Sequence, residues 1–263
     1  MRLFHLLICG VFVFVNANVA IGIQFTYSSQ TGQLEGSGGT PALGSTSLTQ
    51  PVSGLGDLDE SFFVSDSSGS DAYSGGGTLT TSLGMSSLSI DLSSTSSVQG
   101  CDPFSEIGCF ATGSVSVIIA FALDTSALTQ IEIAQHPSTN NGSSTTLTHQ
   151  TLGFSLSISP DGDLSIDSCG SLATSECFGL ADLFFGGAVL PSGQYEVTSS
   201  LFSFVPTGPC AVGCNATGGS YVINIISVPP SVPALGGVGH ALLATLLIAG
   251  AALANGLRTR RMN

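Results

Sequence analysis

The sequence contains no lysine, and its four basic side chains stand at the two chain ends, at Arg2, Arg258, Arg260 and Arg261. Against them stand 17 aspartates and glutamates, so every formal charge between Arg2 and Arg258 is negative. Nucleic-acid binding requires Lys or Arg to neutralise phosphates, and a peripheral helix on anionic lipid has the same requirement. Both classes are therefore excluded. Nucleotide-phosphate chemistry is disfavoured as well, because no GK[ST] motif occurs.

Tryptophan is also absent, and charged residues make up 8 % of the chain, far below the roughly 25 % of an average soluble domain. Serine and threonine instead supply about a quarter of the residues, together with 34 glycines and seven cysteines. Small hydroxyl residues, few charges and several cysteines are typical of a β protein that lies outside the cytoplasm.

The N-terminus has the pattern of a signal peptide over residues 1–22. Arg2 precedes an apolar run that ends near Val15, and small residues follow at 15–17 and 20–22. That run is too short to span a bilayer, which favours a cleaved signal over an anchor or a buried strand. Cys9 lies inside the run rather than after it, so we do not expect lipidation.

The C-terminus predicts a membrane span. A Pro-rich linker at 229–234 leads into 235–257, and a basic tail closes the chain at 258–263. Residues 235–257 would form a helix of about 34 Å, which matches a hydrocarbon core of roughly 30 Å. The arginines after it act as a stop-transfer signal and place the tail in the cytoplasm, with 23–228 outside. The alternative, a buried core helix, does not explain the arginine cluster.

This tail resembles the PEP-CTERM class of bacterial sorting signals, and most closely its variant beginning Ile/Val-Pro-Thr-Leu. The matching residues are Val232, Pro233, Ala234 in place of Thr, Leu235, Gly239 and the stop-transfer arginines Arg258, Arg260 and Arg261. The resemblance implies processing by an exosortase-type membrane transpeptidase in a Gram-negative host that makes exopolysaccharide. It implies passage through the inner membrane to the cell surface or extracellular matrix. A GPI signal is the competing interpretation, but such tails usually end apolar.

Between the two ends, residues 23–228 alternate apolar and polar side chains in segments separated by Gly, Ser and Asn. This pattern predicts an all-β, antiparallel β-sandwich of jelly-roll or Ig-like type. A hairpin is expected over 154–167, turning at Pro160–Asp163, and Tyr195 is expected to bond back to the loop before it. Residues 28–80 predict long surface loops or a mobile arm, with 62–64 as the one patch suited to a sheet.

Six cysteines remain after the signal peptide, at spacings of eight, eight and four residues. Their clustering predicts three sequential disulfides: Cys101–Cys109, Cys169–Cys177 and Cys210–Cys214. A secreted chain meets an oxidising compartment in which such pairs form. Zinc is the alternative, but only Cys210 and Cys214 have a suitable spacing, and no histidine is near them. We therefore expect a structural role and no metal site.

Acidic residues cluster twice. The first cluster, Asp161, Asp163 and Asp167, is spaced like part of a calcium loop, although Ile166 occupies the position that requires glycine. The second comprises Asp57, Asp59, Glu60 and Asp66. Calcium is the one ion that either cluster would suit, and solvated acidic surface is the simpler interpretation.

No catalytic residues are predicted. Only His136 and His149 lie in the central region, and neither a G-x-S-x-G nor an H-E-x-x-H motif occurs. We expect a non-enzymatic surface or matrix protein that contacts the membrane, a sorting transpeptidase and exopolysaccharide. The alternative is a carbohydrate-binding or calcium-dependent adhesive module, which the lack of tryptophan disfavours because sugar rings stack on aromatic side chains. A hydrolase with a cryptic site is a third hypothesis.

Overall fold

A computed structural model of the protein describes residues 25–100, 108–135, 141–158, 163–184, 187–205, 214–216 and 220–227. All of them belong to one compact unit, Met1–Val228. The predicted signal peptide, linker, membrane span and basic tail lie outside the described residues. Within that part of the chain, no helix is both long enough and apolar enough to cross a membrane.

The described residues form two antiparallel sheets packed as a sandwich, so the predicted all-β sandwich is confirmed. The strands are β1 Phe25–Thr40, β2 Gly44–Ser53, β3 Leu58–Ser68, β4 Asp71–Leu83, β5 Ser87–Gln99, β6 Phe110–Leu123, β7 Ala127–Gln135, β8 Asn141–His149, β9 Ser155–Ile158, β10 Leu164–Ser168, β11 Ala188–Leu190, β12 Gly193–Val205, β13 Cys214–Ala216 and β14 Ser220–Ser227. Sheet A has the strand order β10-β9-β8-β12-β6-β1-β2, and sheet B has the order β11-β7-β14-β5-β4-β3, with β13 also paired to β5.

Period-two alternation produces the core between the sheets. In β6 every second residue from Ala111 to Leu123 is buried, and β5 and β12 follow the same pattern. Successive side chains of a strand point to opposite faces, so one face of each strand turns to the core and the other to solvent. The predicted hairpin is also confirmed, since Leu164 of β10 pairs with Ile158 of β9.

The expectation of loops over residues 28–80 is wrong. These residues form β1 to β4, and β1 pairs with β6 over most of its length. Long Gly and Ser runs suggested loops because they lack apolar side chains. Along these strands the two sheets approach so closely that, at several positions, the interior has room only for glycine. Those positions therefore show no apolar pattern in the sequence.

One short helical segment interrupts the strands between β10 and β11. Helix α1 spans Thr174–Gly179 and continues into a 3-10 helix, Leu180–Phe184. Leu180 and Leu183 of this segment are buried in the main core. The segment was not predicted, because six helical residues are too few to show a 3.6-residue period.

Rings fill one end of the sandwich, which we call the aromatic end. The Phe121 ring lies edge-on to Phe25 at 5.2 Å between centroids and stacks on Tyr195 at 5.4 Å. His149 lies edge-on to Tyr195 at 4.6 Å. The aromatic end comprises Phe25, Tyr27, Phe121, His149, Phe154 and Tyr195. Such ring pairs add about 0.5–1.5 kcal/mol each beyond the area that they bury.

Towards the opposite ends of the same strands the backbones of the two sheets are in direct contact, and we call this region the glycine end. A Cβ added to Gly75 of β4 would overlap the carbonyl oxygen of Thr112 on β6, and one added to Gly36 of β1 would overlap the carbonyl oxygen of Gly75. The Tyr73 ring covers Gly38 in the same way. The glycine end comprises Gly36, Gly38, Gly75, Gly77 and Gly113.

Candidate functional site

One of the three predicted disulfides is confirmed. Cys169 and Cys177 are bonded, with their Cα atoms 5.5 Å apart, and the bond ties the chain after β10 to α1. Cys177 is fully buried and Cys169 is half-buried, so the bridge joins the surface of the fold to its interior. Cys109 is also buried and disulfide-bonded. Cys101 and Cys210 lie outside the described residues, as does the side chain of Cys214, so Cys101–Cys109 and Cys210–Cys214 stay predictions.

The second acidic cluster is dispersed along and beside β3. Asp57 accepts the backbone N–H of Leu83, and Asp59 accepts the hydroxyl of Thr80. Glu60 adjoins Asp59 on a strand and therefore points to the opposite face, where the Gln50 amide donates to it at 3.5 Å. Among the residues described here, no three His, Cys, Asp or Glu side chains are grouped to hold a metal ion.

The first acidic cluster is described only in part. Asp167 accepts hydrogen bonds from the hydroxyls of Ser157 and Ser165, so it links β9 and β10 across the hairpin. Asp163 precedes β10, and Asp161 lies outside the described residues. The bonds of Asp167 are those of a polar hairpin side chain.

His149 is buried at the end of β8 with both ring nitrogens engaged. Nδ1 accepts the backbone N–H groups of Thr151 at 3.2 Å and Leu152 at 3.1 Å. Nε2 lies 3.2 Å from the carbonyl oxygen of Ser192, so it carries the proton and donates it there. These bonds hold two loops at the aromatic end and leave neither nitrogen available as a general base. His136 lies outside the described residues.

The predicted Tyr195 corner is confirmed. Its hydroxyl donates to the carbonyl oxygen of Pro191 at 2.7 Å, four residues upstream. Burial raises the pKa of the Tyr195 hydroxyl above its ordinary value, because the ionised form would lose its hydration. The pKa of Tyr27 is raised as well, first by burial and then by the charge of Asp57. Both hydroxyls therefore remain donors, Tyr27 to the carbonyl oxygens of Gly84 and Ser87 at 3.0 Å each.

An open cavity of about 500 Å³ lies beside α1. Its lining includes Leu152, Leu172, Leu180 and Val189, together with the carboxylate of Glu176. The hydroxyls of Ser126 and Ser171 also line the cavity, and its lining contains no histidine or cysteine.

The most distinctive surface feature is a pair of exposed rings on the outer face of sheet A. Phe202 and Phe204 of β12 are 43 % and 36 % exposed, and their ring planes are 14° apart. The alternation of β12 places them on the outer face, because Val197, Leu201 and Val205 share one parity, and Phe202 and Phe204 have the other.

The predicted sorting and stop-transfer residues all lie outside the described residues: Val232, Pro233, Ala234, Leu235, Gly239, Arg258, Arg260 and Arg261. Their role stays a prediction from the sequence. Comparisons of the chain with protein-family models, with curated proteins and with solved structures find no match.

Proposed function

We propose that the chain is an exported, non-enzymatic structural protein of the cell surface or extracellular matrix. The observation that carries the proposal is the bond between the half-buried Cys169 and the fully buried Cys177. Disulfides form and persist in oxidising compartments and are rare in the cytosol. Together with the apolar run before Val15, the bond supports passage across the inner membrane of a Gram-negative cell.

The C-terminal tail supplies the second part of the proposal. Its resemblance to a PEP-CTERM signal supports membrane insertion through 235–257 and processing by an exosortase-type transpeptidase. The sandwich would then be released to, or held at, the cell surface. The engaged imidazole of His149 supports a structural rather than catalytic role, since a general base needs a free lone pair.

For the finer fold we propose a jelly roll rather than an Ig-like sandwich. Strands β5, β14, β7 and β11 are adjacent in sheet B, and β6, β12, β8 and β9 are adjacent in sheet A. This arrangement supports two interleaved four-stranded sheets, in which late strands insert between early ones, as in jelly rolls. Strands β1 to β4 extend both sheets on one side. A jelly roll hosts many functions, so the topology alone does not choose among them.

Mass spectrometry of protein recovered from the cell surface tests the proposal. We expect a mature N-terminus between Asn18 and Ile23 and a peptide containing the Cys169–Cys177 bond. Deletion of 229–263 should leave export intact and release the sandwich into the medium, because the anchor is lost. Surface protein that retains Met1, or that contains free Cys169 and Cys177, would contradict export through a cleaved signal.

A further inference from the structure

The outer face of sheet A carries many short hydroxyl side chains around one aromatic pair, with the exposed Ile118 beside Thr198 on the same face. Strand β12 lies between β6 and β8, and pairing places Ser200 beside Ser116 and Ser144, and Thr198 beside Thr146. The Ser144 and Ser200 hydroxyls are 3.0 Å apart. On a β-sheet such groups repeat about every 4.7–4.9 Å across the strands. Each hydroxyl can both donate and accept a hydrogen bond.

The aromatic pair stands clear of its neighbours. Phe202 is paired across the strands with Ser114 on one side and Gly142 on the other, and Phe204 is paired with Thr112. None of these neighbours is large enough to cover a phenyl ring. The two ring centroids are 6.3 Å apart and the planes are nearly parallel, in a stacked arrangement, so the rings form one exposed apolar patch.

Charge decides which occupant suits this face. It carries the carboxylates of Glu35 on β1 and Glu196 on β12, and the described residues contain no Lys or Arg. A polyanion would be repelled, and a second copy of the chain, with a net charge of −13, would be repelled as well. An uncharged sugar polymer meets no such opposition. Its rings have a C–H face that packs on aromatic side chains and a rim of hydroxyls that match Ser and Thr.

We propose that the outer face of sheet A, centred on Phe202 and Phe204, binds a neutral polysaccharide. The inference extends the proposed surface role and gives it a ligand class. It does not depend on the export route, because purified protein tests it.

The test is native affinity electrophoresis of the full-length chain in gels containing laminarin, dextran, hydroxyethylcellulose or the acidic polymer alginate. At least one neutral polymer should retard the chain, and alginate should not. The double variant F202A/F204A should bind that polymer about tenfold more weakly, because it loses both stacking surfaces. Phe63→Ala is the matched control, since Phe63 is 49 % exposed on the outer face of sheet B and should leave binding unchanged.

Several outcomes would overturn the inference. Retardation by no neutral polymer, or equal retardation of F202A/F204A and the parent chain, would exclude a site at these rings. Retardation by alginate alone would show a different ligand class. Light scattering distinguishes the remaining occupant: a dimer that F202A/F204A abolishes would assign the face to a second copy. The melting temperatures of the parent and all variants should agree, because the replaced rings are exposed and lie outside the core.

Discussion

The aromatic end and the glycine end solve the same packing problem in opposite ways, although the same strands run through both. Phe25 of β1 pairs with Leu123 at one end, and Gly39 of β1 pairs with Phe110 at the other. At the aromatic end the space between the sheets is filled by Phe121, Tyr195 and their neighbours. At the glycine end Gly75 contacts the opposite backbone, and only a second, smaller cluster that includes Tyr73 and Val205 is buried there. Removing side-chain atoms should therefore destabilise the aromatic end, and adding side-chain atoms should destabilise the glycine end.

The largest effect is expected from Phe121→Ala. Phe121 is fully buried between Phe25 and Tyr195, so truncation leaves a cavity that the rigid sheets cannot close. We expect a loss of about 3–5 kcal/mol in the free energy of unfolding, measured by denaturant titration. Phe202→Ala is the control and should change stability by no more than about 0.5 kcal/mol, because that ring is exposed. Equal losses in the two variants would contradict the assigned core.

Gly75→Ala tests the other end by adding a single methyl group. The new Cβ would overlap the carbonyl oxygens of Thr112 and Ser37, which belong to backbone and cannot rotate away. We expect a loss of about 3 kcal/mol, because the sheets must separate locally. Gly179→Ala is the control, since its Cβ would meet nothing within 4 Å. If Gly75→Ala is tolerated as well as Gly179→Ala, the close approach of the sheets is wrong.

Tyr195→Phe isolates one hydrogen bond at the aromatic end. It keeps the ring and removes the donor to the carbonyl oxygen of Pro191, so thermal and chemical unfolding should show a loss of about 1 kcal/mol. Tyr73→Phe at the glycine end is the comparison. Among the described residues the Tyr73 hydroxyl has no hydrogen-bond partner, so this change should be close to neutral. A larger loss of stability for Tyr73→Phe than for Tyr195→Phe would mean that the hydroxyl at the glycine end contributes more than the one at the aromatic end.

The smallest effect concerns Asp91, which lies on β5 between the two ends. Asp91 lies on the exposed face of the strand, and partial desolvation there raises the pKa of its carboxyl, so the folded protein holds the proton more tightly than the unfolded chain. Its favourable contribution is therefore present at low pH and is lost as pH rises through the raised pKa. Asp91→Asn should raise the melting temperature at neutral pH by at most about 2 °C, and the gain should vanish in acid. The exposed Asp124→Asn serves as the control. If the gain in melting temperature grew as the pH fell, the direction assigned to the pKa shift of Asp91 would be wrong.

The aromatic end was largely predictable from the sequence, and the glycine end was not. Val115, Val117, Ile119 and Phe121 occupy every second position, and this period identifies β6 as a strand without further information. The Tyr195 bond was predictable for a similar reason, because the corner is made by residues adjacent in sequence. In both cases the signal is local.

The errors come from contacts that join distant parts of the chain. Gly75 looks like a linker residue until Thr112 of the other sheet lies against it. The dispersal of Asp59 and Glu60 also follows from strand geometry, which was not available while 28–80 were expected to be loops. Clustering in sequence was a reliable guide for Cys169 and Cys177, since a short covalent loop needs no distant partner.

The position of β14 determines which strand must be added last when the sandwich folds. This strand is the last one among the described residues, yet it lies in the middle of sheet B, where Ile225 pairs with Leu88 on one side and Ile131 on the other. Until Ser220–Ser227 have been synthesised and have paired, the facing edges of β5 and β7 have no strand between them. Pairings so distant in sequence form slowly, because a long loop must close before any contact is gained. Folding of the sandwich must therefore finish after synthesis of residue 227, with the final strand inserted as the closing step.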